Sequence, residues 1–394
     1  MRTNYRTNSG VRFQMLSEDQ LEELFSGVLH VLENIGLEVK HEKAREILKE
    51  GGAWVKGDLV RLPSYMVKDA LAKAPRSFTI HARDGNRDND IHIGPGRAHF
   101  GPGPTCPNFI DIETMERRPY MRSDTPLVAK VVDSLPNIDF CESLGSISDV
   151  PYDLSALYEF AEMFRQTTKP IVAWSFDLIQ PGNPFIMGGV LSVMDMSDMI
   201  LSYGAPELPL IMAGLTELAH YVGLPLWQTG GCTDSKTFDE QAISEGSLSV
   251  FFSALSGGDL CHDVGYTESA MTGSVFQLAA MDEAIGYARR ITRGIEVNED
   301  TLAVEVINRV GPNGHYLKDE HTRRYYKSEF WLPNLCDRQS YETWELMGKT
   351  TFKDRTVARV QDILATHEAV PLSPKTEKVI EEVLAAAEEW AKNQ

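Results

Sequence analysis

The sequence predicts an α/β protein in which a closed barrel of parallel strands and helices follows a mostly helical N-terminal cap. From about residue 97, short apolar runs that end in Gly, Asp or Ser alternate with helical stretches, which is the pattern of repeated β/α units. No GxGxxG turn follows the first of these runs, so a doubly wound dinucleotide-binding sheet is the less favoured alternative.

The cap is predicted over residues 1–90. Ser17 and Gln20 have the spacing of a capping box, and the apolar residues after them recur with helical period as far as Gly36, which ends the helix. Two more helices are predicted over 42–50 and 64–73. Short strands are expected at 36–39 and 77–84. The cap is therefore a small mixed unit rather than a first β/α repeat.

The barrel is predicted over residues 91–374. Its strands are expected in six apolar runs, at 98–101, 138–147, 170–175, 184–190, 225–230 and 260–266. The intervening helices include 154–165, 208–222, 239–256 and 275–289. An Ala- and Glu-rich helix over 375–394 is expected to pack outside the barrel.

Charge excludes several partners. The chain of 394 residues has 57 acidic and 38 basic side chains and a formal charge of −19, which repels nucleic acid and anionic membranes and suits a cationic substrate or a basic protein surface. Acidity that serves only solubility is the alternative. The sequence has neither a signal peptide nor a membrane-spanning run, so a cytoplasmic protein is expected.

The five cysteines are scattered without CxxC pairs, which disfavours a disulfide scaffold. Cys232 and Cys261 follow separate predicted strands and His262 adjoins the second, so a catalytic zinc site is one alternative. Because adjacent strand residues point to opposite faces, Cys261 and His262 are not expected to bind one ion. We therefore predict no resident metal.

Reactive side chains of a β/α barrel follow the carboxyl ends of its strands. The titratable residues there are Asp149, Asp177, Asp195, Asp234, Lys236, His262, Asp263 and Glu268. Neither a GxSxG nor an HExxH motif is present, which disfavours the common hydrolases. Asp234 is expected either to pair with Lys236 or to orient a ligand. His262 is expected to be either a hydrogen-bonded rim residue or a catalytic one.

Aromatic residues are also frequent at these strand ends: Phe100, Phe109, Trp174, Phe176, Tyr203, Trp227 and Tyr266. A ring face attracts a quaternary ammonium group by about 0.5 to 2 kcal/mol, and several rings together form a cage. We expect two or three of the seven to contact a substrate and the others to be packing residues.

Seven segments carry a resemblance to a known family: GGAWV at 51–55, HFGPGPTCPNF at 99–109, LPNIDF at 135–140, SYGAPEL at 202–208, GGCTDSKTFDEQA at 230–242, HDVGYTES at 262–269 and FWLPNLCDRQSYETW at 330–344. Together they resemble the trimethylamine methyltransferase superfamily, in its branch without pyrrolysine. In the trimethylamine enzymes pyrrolysine lies in the segment that matches TGGCTDSK, and we align it with Gly231. Glycine there implies that the amine-binding lysine derivative is absent.

The resemblance implies a (β/α)8 TIM-type barrel with a corrinoid-binding partner protein over its mouth. The implied reaction transfers a methyl group from a quaternary amine, glycine betaine above all, or from a related methylamine, to Co(I) of the partner's cobalamin. No cofactor would be bound permanently by this chain, and the chain is compatible with a homo-oligomer. Because a quaternary nitrogen leaves without protonation, an acid/base pair is not required.

For this reaction we expect a cation-binding wall of Trp174, Trp227 and Tyr266, with Phe100, Gly231 and Asp234 also near the substrate. Glu268 or Asp149 is expected as the negative counterpart of the ammonium group. His262 is expected to bind a substrate carboxylate or to position the substrate.

The chain departs from the family pattern after Asp177, where members carry about two more β/α units, each of about 30 residues. A barrel without two neighbouring units has two unpaired sheet edges. The alternative function is therefore a catalytically impaired barrel that binds methylated amines or a corrinoid protein. A zinc-dependent methyltransferase is a further alternative.

Overall fold

The computed structural model describes residues 12–96, 98–173, 186–197 and 199–393. The α-helices are α1 (Glu18–His30), α2 (Glu42–Glu50), α3 (Ser64–Lys73), α4 (Asp124–Ser134), α5 (Tyr152–Gln166), α6 (Glu207–Val222), α7 (Glu240–Ser256), α8 (Val275–Thr292), α9 (Glu299–Leu302), α10 (Val304–Val310), α11 (Glu320–Glu329), α12 (Tyr341–Leu346), α13 (Phe352–Thr366) and α14 (Pro374–Lys392). A π-helical turn, Val31–Ile35, continues α1.

The strands are short. They are β1 (Leu37–Glu38), β2 (Trp54–Lys56), β3 (Leu59–Arg61), β4 (Phe78–Ile80), β5 (Ile91–Ile93), β6 (His99–Phe100), β7 (Asn108–Ile110), β8 (Arg117–Pro119), β9 (Met187–Gly188), β10 (Leu226–Thr229), β11 (Leu260–His262), β12 (Tyr266–Thr267) and β13 (Thr272–Gly273).

A parallel sheet forms the centre of the fold, in the order β6-β11-β10-β9. One hydrogen bond and one single bridge extend it beyond β6. The amide of Asp139 donates to the carbonyl of Phe100 at 2.6 Å, and Cys141 pairs in parallel with Ile171. All six predicted strand runs therefore contribute to one parallel arrangement, and the mixed α/β class is confirmed.

The order of these six segments is informative. If the six segments are numbered in chain order, their order across the sheet is 3-2-1-6-5-4, from the segment at Ile171 to β9. Neighbours in sequence are neighbours in space, and the first segment also pairs with the last. The break in this circular order falls between Ile171 and Met187, and among the described residues no strand joins those two edges.

Alternation along the strands assigns their faces. Gln228 and Cys261 are paired and face the helix layer, where both contact Ser253 of α7. Trp227, Thr229 and His262 therefore point to the opposite, interior face. The β4-β5 hairpin of the cap covers the lower part of this face, where Ile91 and Ile93 pack with Phe140 and Leu260.

The predicted cap helices are confirmed as α1, α2 and α3. Ser17 and Gln20 form the expected capping box, and Gly36 ends the helical segment with a φ of 92°. The predicted barrel helices correspond to α5, α6, α7 and α8. The last helix, α14, lies against α5, where Arg165 forms ion pairs with Glu377 and Glu381.

A second sheet was not predicted. It has the order β12-β13-β7-β8 and is built from the segments that follow β6 and β11. It therefore lies at the carboxyl ends of these two parallel strands. Its β7-β8 hairpin is held by Arg118, which contacts Asp111 and Asp124 at 2.7 to 2.8 Å.

A buried carboxyl on α5 fixes the loop after the second parallel segment. Glu159 accepts hydrogen bonds from Ser143 Oγ and from the Ile147 amide, both at 3.1 Å. Burial raises the pKa of Glu159 from 4.5 to about 7. Since the folded state binds this proton more tightly than the unfolded chain, its contribution to stability is largest below pH 4.5 and is lost as the pH rises through 7.

We expect Glu159→Gln to remove this pH dependence. The amide keeps the shape of the side chain and one acceptor but cannot ionise. The free energy of unfolding of the variant, measured relative to that of the wild type, should therefore rise by on the order of 2 kcal/mol from acid to mildly basic pH. Urea unfolding at both pH values measures the difference. An equal wild-type-to-variant difference at the two pH values would contradict the assignment.

Candidate active site

Backbone strain concentrates at the carboxyl ends of the parallel strands. Among non-glycine residues with positive φ, Leu144, Asp263, Glu268, Ser269 and Ala270 all lie in the loops that follow these strands. Such conformations cost about 1 to 3 kcal/mol each and persist where the surroundings fix them, which occurs most often at functional sites. This end of the sheet is therefore the candidate active site.

His262 is the best placed polar residue on the interior face. It ends β11 and is 7% exposed. Its Nδ1 lies 2.8 Å from Asp263 Oδ1, and its Nε2 lies 3.4 Å from Thr229 Oγ1 on the neighbouring strand. The Asp263 carboxylate beside Nδ1 orients the ring so that Nε2 lies on the interior face beside Thr229. His262 is thus oriented on the interior face by its neighbours, and its role in binding stays a prediction.

Asp263 organises this site, and the sequence analysis named it only among the titratable strand-end residues, without a role. Its side chain is 2% exposed, and Oδ2 accepts a hydrogen bond from Thr229 Oγ1 at 3.1 Å. A Cβ atom on Gly103 would lie 2.2 Å from Asp263 Oδ1 and 2.4 Å from the Tyr266 hydroxyl. Only glycine fits at position 103, because the Asp263 carboxylate occupies that space.

Trp227 provides an aromatic surface beside His262. The two ring centroids are 5.1 Å apart with an interplanar angle of 79°. Trp227 is only partly buried, and it packs on the apolar layer above the β4-β5 hairpin. One tryptophan and one histidine therefore meet on the interior face at the upper end of β10 and β11.

Two other aromatic candidates lie elsewhere. Phe100 is paired with Cys261, is fully buried and contacts Arg289 of α8, so it faces the helix layer rather than the interior. Tyr266 is 1% exposed, and its hydroxyl accepts from the Thr105 amide at 2.7 Å. Burial raises its pKa well above 10, so this hydroxyl stays protonated. It holds the 103–106 loop behind Asp263.

Asp234 and Gly231 shape the loop after β10. Asp234 accepts from the Tyr203 amide at 2.6 Å and from Ser269 Oγ at 2.8 Å, and it also binds Ser202 Oγ. Its carboxylate therefore joins three loops of the site. Gly231 has a φ of 77°, and a Cβ atom there would lie 3.1 Å from Val264. Any larger residue at position 231 would be strained.

The two proposed negative counterparts are not adjacent to His262. Glu268 forms an ion pair with Arg117 at 2.7 Å and accepts from Thr272 Oγ1 at 2.5 Å, which ties β8 to β13. Asp149 is exposed and accepts from the Arg122 amide at 2.8 Å. Buried acidic residues at the strand ends are instead Asp263 and Glu142.

Glu142 was missed by the sequence analysis. Phe140 lies on the interior face, and alternation places Glu142 on the same face one step closer to the carboxyl end. Its side chain is fully buried. The sequence signal was the motif FCES, in which a charged residue ends an otherwise apolar run. Trp174 and the Asp177–Leu178 junction lie outside the described residues.

The described residues contain no group of three or more His, Cys, Asp or Glu side chains arranged to hold a metal ion. Cys261 faces Ser253 of α7 with a sulfur–oxygen distance of 3.6 Å, whereas His262 points to the interior. The opposed directions follow from strand alternation. They give the zinc alternative no support.

The sequence model of the family described as Trimethylamine methyltransferase (MTTB) matches residues 2–177 and, in a second match, residues 171–389. The glycine betaine methyltransferase of Desulfitobacterium hafniense (strain Y51) is 27% identical over 467 positions, which cover 95% of this chain and 97% of that protein. The trimethylamine methyltransferase MttB of D. hafniense (strain DSM 10664 / DCB-2) is 26% identical over 470 positions, covering 95% and 94%.

Among solved structures, the monomethylamine methyltransferase of Methanosarcina barkeri aligns with a TM-score of 0.46 at 11% identity, covering 90% of this chain and 88% of that one. Within the described part of the chain, the helices are all too short or too polar to cross a membrane.

The burial of the cysteines predicts their reactivity. Cys106, Cys141, Cys232 and Cys261 are buried, and burial raises the pKa of each thiol, to about 12 for Cys261. Thiolates are the reactive species. We therefore expect a thiol reagent at neutral pH to modify only Cys336, the partly exposed cysteine, before unfolding and all five after it.

Absorbance of the released chromophore counts the modified thiols, and Cys336→Ser should reduce the native count to zero. Rapid modification of Cys232 or Cys261 in the folded protein would contradict the packing described here.

Proposed function

Because the chain belongs to the trimethylamine methyltransferase family, we propose that it transfers a methyl group from a quaternary methylamine to a corrinoid carried by a partner protein. The relatives named for glycine betaine and for trimethylamine both align over 95% of this chain, and glycine betaine is the leading substrate. The corrinoid protein is the second substrate and accepts the methyl group. Pyrrolysine is absent from the sequence, which favours a quaternary amine over trimethylamine.

The observation that carries this proposal is the pairing of Trp227 with His262 on the interior face. A ring face attracts a trimethylammonium group, and a protonated histidine, which donates from both ring nitrogens, binds a substrate carboxylate through Nε2. Glycine betaine carries both groups on one short molecule. The ring centroids are 5.1 Å apart, so neighbouring parts of such a ligand can contact both residues.

The proposed reaction requires little acid/base catalysis from the side chains of this protein. A quaternary nitrogen leaves as a neutral tertiary amine, so no proton has to be supplied when the methyl group departs. The residues must desolvate the cation and align its N–CH3 bond with the acceptor above the mouth. The network of Asp263, Thr229 and His262 serves this by fixing the orientation of the imidazole.

We further propose that the parallel sheet is a (β/α)8 barrel that lacks its fourth and fifth units. The circular strand order, with the first segment paired to the last, is that of a closed barrel opened at one place. The alignment with the glycine betaine enzyme spans 467 positions, more than the 394 residues of the chain, so it must open gaps in this chain. The two family matches meet at residues 171–177, beside the edge at Ile171.

A second candidate function follows from this opening. A barrel that is open between Ile171 and Met187 encloses a substrate less completely than a closed one. Such a protein would retain the Trp227 and His262 surface and bind a methylated amine without turnover. Binding of the amine with no methyl transfer is the outcome that distinguishes this candidate from the enzyme.

The direct test is incubation of the chain with glycine betaine and a reduced corrinoid protein, followed by the absorbance change that accompanies corrinoid methylation. We expect Trp227→Ala to reduce transfer by about 2- to 30-fold, the range of one ring–cation contact, and Trp227→Phe to lose less because a ring remains. His262→Asn should raise KM most for a substrate with a carboxylate.

Trp390→Ala removes an exposed tryptophan on α14 and is the matched control. Equal activity of the Trp227→Ala and Trp390→Ala variants would contradict the assigned site. If the wild-type chain binds glycine betaine in calorimetry but transfers no methyl group, the binding protein is the correct candidate.

Restoring the missing units provides a further test. We expect insertion of the corresponding segment of the D. hafniense glycine betaine enzyme between residues 173 and 186 to raise the unfolding temperature, because it pairs both open edges. Methyl transfer should rise with it. A Gly/Ser insert of the same length is the control, and equal stability of the two insertions would argue against a barrel that lacks these units.

A further inference from the structure

A carboxyl group is buried in the interior wall at the carboxyl end of the second parallel segment. It belongs to Glu142, whose side chain is fully buried. Asp263, the other buried acidic residue at the strand ends, accepts from Thr229 and adjoins His262. The two carboxyl groups therefore have different surroundings, and the contacts of Asp263 do not account for Glu142.

The contacts of neighbouring residues determine the direction of the Glu142 side chain. Ser143 Oγ donates to Glu159 of α5 at 3.1 Å, so Ser143 faces the helix layer. Phe140 packs with Leu260 on the interior face. Alternation along the segment therefore places Glu142 on the interior face, one step closer to the carboxyl end than Phe140.

The interior side of the chain that continues β6 is lined by glycine. A Cβ atom on Gly101 would lie 2.4 Å from the Phe140 ring, and a Cβ atom on Gly103 would lie 2.2 Å from Asp263 Oδ1. Both glycines are therefore covered by side chains from the segments on either side. The second segment and β11 thus line one continuous interior surface, to which Glu142 contributes a carboxyl group.

Glu142 and Trp227 lie on opposite sides of His262 along this wall. The strand order is second segment, β6, β11 and β10, so two strand spacings separate Glu142 from His262 and one separates His262 from Trp227. Two spacings amount to about 10 Å. In the proposed barrel the wall curves, so that Glu142 and Trp227 face the same interior space from different directions.

A carboxylate and a ring face prefer the same kind of ligand group. Both attract a positive charge, and the attraction is stronger in a desolvated interior than in water. Burial of a carboxylate costs free energy, which a neighbouring cation offsets. A pocket that recognised only the shape of three methyl groups would require no buried acid in its wall.

We propose that Glu142 is the counter-charge of the substrate's ammonium group and makes the site select a positively charged methylamine over a neutral molecule of the same shape. This inference rests on the proposed function. The ammonium group lies between the Glu142 carboxylate and the Trp227 ring, and a carboxylate on the substrate points to His262. Glu142 thus takes the role that the sequence analysis expected of Glu268 or Asp149.

A pair of ligands that differ only in charge tests the proposal. In 3,3-dimethylbutyrate a carbon atom replaces the nitrogen of glycine betaine, so the two share a shape and a carboxylate. By calorimetry we expect the wild type to bind glycine betaine more tightly than this analogue, and Glu142→Gln to reduce the preference by about tenfold, mainly through weaker binding of glycine betaine.

Two further variants are the controls. Glu142→Asp keeps the charge and should retain part of the preference, which would exclude a purely structural effect. Glu159→Gln removes a buried carboxyl group that faces the helix layer, so it should leave the preference unchanged. Circular dichroism of each variant checks that the fold is retained.

The kinetics of methyl transfer give a readout that a packing defect would not reproduce. The nitrogen becomes neutral as its methyl group leaves, so a carboxylate beside it stabilises the bound substrate more than the transition state. Glu142→Gln should therefore raise KM for glycine betaine about tenfold, with kcat unchanged or higher. A lower kcat at unchanged KM would contradict the assigned role.

A second pair of ligands separates this inference from the choice of substrate. Choline and its neutral analogue 3,3-dimethylbutanol lack a carboxylate, so they test Glu142 without a contact to His262. A preference for choline that Glu142→Gln loses would support the role of Glu142 for any quaternary amine. An equal preference of the wild type and Glu142→Gln in both pairs would overturn that role and leave the proposed function standing. A wild type that binds neither cation would contradict both.

Discussion

The structure depends on the pairing of β6 with β11. This ladder joins residues 99–100 to residues 260–261, the start of the parallel region to its end. Once it forms, the loops that follow the two strands lie side by side, and Gly103, Thr105 and Cys106 come into reach of Asp263 and Tyr266. Each part of the site that involves the 101–107 loop therefore requires a contact across about 160 residues, which is costly in loop-closure entropy and needs the whole core to form.

Within that frame, one buried carboxylate sets the local geometry. Asp263 has a φ of 70° and is almost fully buried, so its conformation and its desolvation both cost free energy. The costs are offset by the Thr229 hydroxyl, by the neighbouring His262 ring and by the close approach of Gly103. Arrangements of this kind are tolerated where the oriented charge has a task. In the proposed function this task is to hold His262 beside Trp227 on the interior face.

Much of this fold follows from local sequence pattern, and the remainder from register. Capping residues and helical period predict α1, α2 and α3, and apolar runs predict all six parallel segments. Strands β7, β8, β12 and β13 have two or three residues each and pair across distant loops, so no local period identifies them. Strand register also determines which side chains face the interior. Phe100 and Cys261 are paired and both face the helix layer, and a shift of one residue would have turned Phe100 to the interior face. The role of Asp263 was not predicted because it depends on a left-handed backbone conformation. Its φ of 70° cannot be read from the local sequence.

Among the described residues the six parallel segments form an arc, and the cap supplies part of the interior packing that opposing strands supply in a closed barrel. Ile91 and Ile93 of the β4-β5 hairpin pack on Phe140 and Leu260, so the lower interior is filled by the cap as well as by opposing strands. Among the described residues, the upper interior carries the polar side chains of His262 and Thr229. An unpaired sheet edge costs the most free energy where it exposes apolar side chains to water. Here the apolar side chains lie in the lower interior, which the β4-β5 hairpin covers. The hairpin therefore covers the apolar lower level of the same interior face that bears Trp227 and His262.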